Sequence, residues 1–454
     1  MTSTPERDKA RIPAPILDQP KVKKIMPPQL VRGMRDILPA EWQYWNFVSN
    51  KSAEHALAYS FQRIETPVVE KTNLFTRAIG TTTDIVEKEM YSFVDQSEDH
   101  LSLRPEYTAG IARAYIEHGM LSWPQPVKLF AMGPLFRHER PQAGRYREFW
   151  QYDFEILGEA SATADTQLIL LGAALFESVG LSVNIQINSV GCPTCRPAYR
   201  QALVDYYRTK RAALCEDCKR RLTKNPLRIL DCKEEGCHAL AAGAPQMVDF
   251  LCEVCKQHFV RLLEYLDEVE LAYQLNPYLV RGLDYYTRTV FEFWGSGGGS
   301  SALAAGGRYD SLIADLGGNQ TPAVGFAGGI ERLILELKER QVAVPVTPPP
   351  DLFLASLGEG ARKKALKLFE DLRRQGVRVA ESFTKEGLKS QLEIANRLGV
   401  AFALVLGQKE LMDGTIIVRD MENGIQEIVD LKKVVVEVGK RLQARRTQAS
   451  LVSP

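Results

Sequence analysis

The chain is 454 residues long, enough for two or three domains each with its own core, and its formal net charge of +1 gives no bulk attraction to nucleic acid. It contains no apolar run of about eighteen residues and no apolar export signal, so neither a membrane span nor secretion is expected, and a cytoplasmic location is.

Residues 1–27 are proline-rich, mixed in charge and poor in aromatics, the composition of a disordered lead. Apolar residues on helical spacing predict a helix from Trp42 to Ser60. A strand from Phe61 to Val69 follows, interrupted by Pro67 and so suited to an edge or an interface. Pro105 to Glu117 reads as a helix with proline at its start.

Val127 to Met132 reads as a strand leading into a loop with Arg137, Arg140, Arg145 and Arg147, and Phe149 to Leu157 as the returning strand. In the return, Trp150, Tyr152 and Phe154 alternate with Gln151, Asp153 and Glu155, which puts the polar set on one face of a sheet. Guanidinium forks suit phosphate oxygens, while carboxylate and amide groups on a rigid strand suit a small polar ligand. One hairpin therefore has the means to hold a nucleotide phosphate and an amino acid side by side.

Thr163 to Val179 is a further periodic helix, and Ser182 to Asn188 a strand. Residues 192–258 break the pattern and read as an inserted helical module holding all eight cysteines. Cys192/Cys195, Cys215/Cys218 and Cys252/Cys255 are Cys-x-x-Cys pairs; Cys232 and Cys237 complete the set, beside His238 and His258. Two thiolates on one tight turn suit tetrahedral zinc, and buried or redox-responsive thiols are the alternative. Disulfides suit a chain without an export signal least.

Leu279 to Trp294 contains a strand, Gly295 to Ser300 is a glycine–serine loop, and Ala302 to Ile313 carries Ala-Ala-Gly-Gly-Arg-Tyr-Asp. Ala323 to Leu335 predicts a strand, a Gly-Gly turn and a helix start, and Val342 to Pro350 a proline-rich linker. Beyond it strands Leu352–Ser356, Val377–Glu381, Ala401–Leu406 and Thr415–Arg419 alternate with helices Ala361–Gln375, Leu388–Leu398 and Lys432–Arg446, an α/β domain with a partly parallel sheet.

Taken singly, Glu106 is a first-turn acid meeting a helix dipole, Arg281 a surface charge, Tyr285 and Tyr286 core aromatics, and Arg332 a solvated helix residue. Together their segments resemble the histidyl-tRNA synthetases, a class II aminoacyl-tRNA synthetase family. Arg32-Gly33-Met34-Arg35-Asp36 with Leu38-Pro39 is similar to that family's N-terminal signature, and Glu65-Thr66-Pro67 with Leu74-Phe75 to class II motif 1, the dimer interface. Phe136-Arg137-His138-Glu139-Arg140 resembles motif 2, and Gly328-Gly329-Ile330-Glu331-Arg332-Leu333 resembles motif 3. Arg281-Gly282-Leu283-Asp284-Tyr285-Tyr286 and Ala305-Gly306-Gly307-Arg308-Tyr309-Asp310 resemble the histidine-specific signatures.

The resemblance implies an α+β catalytic core over 28–342, an antiparallel sheet flanked by helices, interrupted by the insertion at about 192–258. A linker over 343–350, a small α/β anticodon-binding domain over 351–446 and a tail over 447–454 complete it. It further implies a homodimer that joins L-histidine to tRNA(His) through a histidyl-adenylate, using ATP and Mg2+ and no membrane. Arg137 would hold the α-phosphate, Glu139 would lie near the adenine, and Arg332 would clamp the γ-phosphate. Arg281 would meet the α-phosphate and substrate carboxylate from the other side, making Arg137 and Arg281 the catalytic pair. Glu106, Thr108 and Gln151 would bind the amino and backbone groups of histidine, Glu155 and Tyr286 would read its imidazole, which needs an acceptor and a hydroxyl, and Tyr285 would also belong to the histidine site. Such a pocket rejects analogues lacking those hydrogen bonds.

The class does not require metal in the insertion. Tyr107 stands where bacterial members commonly have glycine and is expected to reshape the pocket rim. The same fold serves as a regulatory subunit of ATP phosphoribosyltransferase, but such subunits usually lack the anticodon-binding domain. A zinc-dependent nucleic-acid-binding scaffold would leave Arg137, Glu155, Arg281 and Arg332 without a role.

Overall fold

The computed structural model describes residues 27–81, 83–295, 302–346, 348–382 and 384–452, the last without side chains from 448 onward. The expectations for the 1–27 lead and the Gly295–Ser300 loop fall largely outside these residues, as does Thr347 of the linker; of the expected 447–454 tail, residues up to Val452 continue the closing helix Val434–Val452. The chain divides into two compact units between Val344 and Pro345. Among the described residues no helix is long and apolar enough to cross a membrane.

The first unit is built on an eight-stranded sheet. In spatial order its strands are Gln62–Arg63, Val127–Phe136, Glu148–Leu157, Ala323–Gly329, Ala304–Arg308, Thr287–Gly295, Val183–Ser189 and Gln274–Leu275. The six central strands pair antiparallel, and each two-residue edge strand is parallel to its neighbour. The alternation read in the hairpin fixes which face is which. Tyr152, Phe154, Phe326 and Phe293 pack with helices Trp42–Ala58, Ala162–Ser178 and Ile330–Glu339 into one core. Rings Phe154 and Phe326 stack at 5.2 Å, and Phe130 lies 4.9 Å from Phe154. Gln151, Asp153 and Glu155 are thereby turned to the opposite face.

Several elements differ from the sequence reading. The Phe61–Val69 strand is split into Gln62–Arg63 and Val69–Lys71, because Pro67 has no N–H for a ladder. Val69–Lys71 instead joins a three-stranded antiparallel sheet with His100–Leu103 and Ser92–Val94. The helix expected from Pro105 starts at Thr108. No turn separates Gly328 and Gly329 from what precedes them: both end the strand Ala323–Gly329, and helix Ile330–Glu339 follows directly. The 192–258 segment is helical, with Arg196–Arg208, Glu216–Lys224 and Glu235–Ala241, and its closing helix Glu253–Glu268 runs past it.

The second unit has a five-stranded sheet in the order Val379–Glu381, Leu352–Ser356, Phe402–Leu406, Thr415–Asp420, Gln426–Asp430. The first three are parallel and the last two antiparallel. Helices Glu359–Arg374 and Val434–Val452 cover one face and Leu388–Leu398 the other, matching the two apolar clusters centred on Leu354 and Phe353.

Candidate active site

The polar face of the first sheet floors a cavity of about 1600 Å³. All the sequence-predicted site residues except Glu155 line it: Glu106, Thr108, Arg137, Glu139, Gln151, Arg281, Tyr285, Tyr286 and Arg332. Glu155 lies just beneath, 1% exposed. Its carboxylate accepts the Thr108 hydroxyl at 2.6 Å and the Tyr309 hydroxyl. Gly325 on the adjacent strand lines the cavity, and a Cβ there would overlap the Glu155 carboxylate, so glycine is required by close approach.

Three acids crowd this floor. Glu106 accepts the Ala109 N–H at 2.8 Å, so it does cap its helix, and it also lines the cavity. Burial pushes its carboxyl above the usual range. Burial, then the charges of Glu155 and Glu106, push Asp153 well up, and one of its buried oxygens has no hydrogen-bond partner. Burial pushes Glu155 up to about 8 against the opposing hydroxyl bonds. A cation placed beside these buried carboxyls would offset the burial that holds them protonated, so the floor suits a positively charged ligand.

The sign of that shift gives a stability prediction. Unfolded Glu155 ionises in the ordinary carboxylate range, while folded Glu155 holds its proton to about pH 8, so the folded state loses stability across that window as pH rises. Glu155→Gln should therefore raise the melting temperature of the unliganded protein more near pH 8 than near pH 5. An equal or reversed difference between the two pH values contradicts it.

Guanidinium groups gather at the other part of the cavity. Arg137 leaves the hairpin strand, donates from Nε to the Pro105 carbonyl at 2.9 Å and lies 5.4 Å from the Phe149 ring centre. Arg145 donates to Glu139 at 3.1 Å, and Arg137 lies 3.9 Å from the same carboxylate. Arg332 donates to the Ala302 carbonyl at 3.2 Å. Burial, then repulsion from Arg145, with Arg137 adding to it, lower the Arg332 pKa despite Glu139. Arg137 and Arg145 share the Glu139 carboxylate and both crowd Arg332, an arrangement suited to an anion. The Arg332 helix is tied to the hairpin by Glu331, which accepts the Trp150 N–H at 3.0 Å.

Arg281 stands on the loop before strand Thr287–Gly295, donating to Glu292 at 2.6 Å with its guanidinium 5.4 Å from the Tyr286 ring centre. The sequence reading put Asp153 on the polar face without a role of its own and did not name Glu292, and both line the cavity. A signal existed for each, an acid alternating with apolar residues on a strand. Tyr107 does not reshape the rim. Its ring is fully buried, and its hydroxyl donates to Glu65 at 3.0 Å and accepts from Arg104 at 2.7 Å. Room for it exists because residue 133 is glycine, where a Cβ would overlap the hydroxyl.

The cysteines fall into two sets whose sulfurs lie within 4.8 Å of one another, Cys192, Cys195, Cys252, Cys255 and Cys215, Cys218, Cys232, Cys237, and each set could hold a metal ion. The histidines take no part: His258 lies 3.4 Å from Asp165, and His238 belongs to neither set.

Comparison with known proteins gives a consistent answer. The profile of the family described as Histidyl-tRNA synthetase matches residues 33–333, and that of the Anticodon binding domain matches residues 351–441. The chain is 46% identical over 416 residues to the histidine–tRNA ligase of Dehalococcoides mccartyi, covering 91% of this chain and 100% of that one. It is 47% identical over 408 residues to that of Trichlorobacter lovleyi, covering 89% and 96%. The crystal structure of apo S. aureus histidyl-tRNA synthetase superposes with a TM-score of 0.75 at 34% identity, over 90% of this chain and 99% of that one.

Proposed function

The chain belongs to the histidyl-tRNA synthetase family, and from that premise we propose how its cavity divides the work of joining histidine to tRNA. The reaction is the ATP-dependent attachment of L-histidine to tRNA through a histidyl-adenylate. The observation that carries the division of roles is the polarity of the cavity: buried acids on the sheet floor and guanidinium groups along the hairpin loop and the following helix. An amino acid offers an ammonium and an imidazole to the first, and ATP a triphosphate to the second.

Glu106, Thr108 and Gln151, joined by Asp153, bind the histidine ammonium and backbone. Glu155, meeting the ring across Gly325, and the hydroxyls of Tyr285 and Tyr286 read the imidazole. Arg137 grips the α-phosphate, Glu139 lies by the adenine and Arg332 takes the γ-phosphate, with Arg145 beside it. Mg2+, which the family uses with ATP, offsets the remaining triphosphate charge. Arg281 faces the α-phosphate and the histidine carboxylate, so that negative charge spreading in the in-line attack meets fixed cations. Attack of the terminal tRNA hydroxyl on the acyl carbon follows, with positioning rather than a covalent protein intermediate as the source of rate.

In this reading residues 28–342 carry catalysis with the insertion at about 192–258, residues 343–350 join the units, and residues 351–446 hold the anticodon arm of tRNA(His) in the cytoplasm. The protein works as a homodimer through the motif 1 region. Val69 and Phe93, 39% and 43% exposed, share one face of the three-stranded sheet there by its register. Light scattering on a sizing column should give twice the chain mass; a monomer at working concentration rejects the dimer. Pyrophosphate exchange across the standard amino acids tests the assignment as a whole. Histidine alone should support it, and a stronger response to another amino acid overturns the pocket.

A further inference from the structure

We propose that the eight cysteines form two separate tetrathiolate sites, each for one Zn2+ ion, and that the two ions fasten the helical insertion to the loop carrying Arg281. The pairing is nested along the chain. The outer site joins the turn before helix Arg196–Arg208 to the start of helix Glu253–Glu268, through Cys192, Cys195, Cys252 and Cys255. The inner site joins the start of helix Glu216–Lys224 to the turn and helix that follow, through Cys215, Cys218, Cys232 and Cys237.

The spacing calls for one tetrahedral ion per site, and four thiolates in a closed structural site suit Zn2+. Cys192 and Cys195 sulfurs lie 3.6 Å apart, Cys192 and Cys252 3.9 Å, and Cys215 and Cys232 3.9 Å. A tetrahedron with metal–sulfur bonds of about 2.3 Å has edges of roughly 3.8 Å. A disulfide needs about 2.05 Å, and all eight cysteines are free. An iron–sulfur cluster hangs its cysteines on different iron atoms and needs a wider cage than four sulfurs converging on one centre. Backbone N–H groups already point at the sulfurs: Cys252 to Cys195 at 3.1 Å, Cys215 to Cys237 at 3.2 Å and Cys218 to Cys215 at 3.4 Å. Such donors stabilise the negative charge left when an ion displaces the thiol protons.

Both sites abut the Arg281 loop. Arg196, the residue after Cys195, donates to the carbonyls of Tyr286 and, at 3.2 Å, Val190. Between Cys218 and Cys232, Asn225 donates to Asp284 at 2.9 Å, and the Arg228 guanidinium packs against Gly282. Cys215 and Cys232 themselves line the cavity. The fastening matters for catalysis only under the functional reading above, but the two sites do not depend on it.

Elemental analysis of the untagged full chain, purified without added metal, should find two zinc ions per chain, falling to one in Cys195→Ser and to one in Cys218→Ser. Cobalt titrated into metal-free native protein under reducing conditions should develop tetrahedral thiolate bands that end at two equivalents, a readout that stands even if a variant fails to fold. Zinc content well below one per chain with no cobalt uptake, iron in place of zinc, or an endpoint at one equivalent overturns the two sites. Hydrogen exchange of residues 281–286 should speed up when the ions are removed; unchanged protection overturns the fastening. Inactive protein with both ions in place would count against the functional reading and leave this inference intact.

Discussion

Arg281→Ala should lower histidine-dependent pyrophosphate exchange by about 10³-fold or more, the scale at which phosphoryl-transfer sites depend on one transition-state guanidinium. The expectation rests on where Arg281 is held. It lines the cavity shared with Arg137, and its salt bridge to Glu292 at 2.6 Å fixes it there before any substrate arrives. Preorganisation of that kind makes a cation effective, since little reorganisation remains for the reaction. The same salt bridge complicates the experiment, because alanine leaves a nearly buried Glu292 with the Trp294 N–H at 3.0 Å but without its cation, and so also costs stability, though less than the roughly 3–5 kcal/mol of a fully buried pair. The double variant Arg281→Ala with Glu292→Ala separates the effects. Its melting temperature should recover while exchange stays low. Exchange restored along with the fold would remove Arg281 from the chemistry and leave it a structural role.

Arg308→Ala should destabilise the first unit by roughly 3–5 kcal/mol in a denaturant melt, the cost of leaving a buried charge without its partner. Arg308 and Asp165 are both fully buried. The guanidinium donates to both Asp165 oxygens, to the Glu159 carbonyl at 2.8 Å, to Asp310 at 3.1 Å and to the Ser161 carbonyl at 3.0 Å. It thus ties a central strand to the start of helix Ala162–Ser178, while His258 reaches Asp165 from a third element. Burial alone would raise the Asp165 pKa; the Arg308 charge, with bonds from His258 and Arg308, outweighs it and holds the group well below the usual carboxylate range. A depressed carboxylate contributes stability above its unfolded pKa and loses it as pH falls toward the folded value, so the penalty of the variant should shrink in acid. A full-sized penalty at low pH, or none at neutral pH, contradicts this account. Arg308→Met with Asp165→Leu should recover much of the loss, since both charges then leave together.

The sequence disclosed the hairpin most clearly, because strand periodicity and the choice of Gln151, Asp153 and Glu155 for one face are the same fact seen twice. The site residues in the other segments were legible only as a set, since Glu106, Arg281 and Arg332 each have an ordinary local explanation and Glu106 does cap its helix. What stayed hidden depends on partners distant in the chain. Nothing local says that Tyr107 turns toward Gly133, or that Thr108 and Tyr309 close over Glu155. The short strands Ser92–Val94 and His100–Leu103 are held by their neighbours rather than by their own pattern, and the same is true of Gln426–Asp430. The cysteine spacing offered zinc or buried thiols; only the fold sorted eight sulfurs into two fours.

The strands that floor the cavity have a slab of rings bolted to their reverse side, with Phe154 and Phe326 in parallel and Tyr152, Phe130 and Phe293 wedged against them. A packed interior resists deformation, so this floor is an anvil and not a cushion. An ill-fitting side chain in the cavity cannot be accommodated by bowing of the sheet beneath it. Under the proposed assignment of the pocket, discrimination among amino acids is therefore settled against a stiff surface.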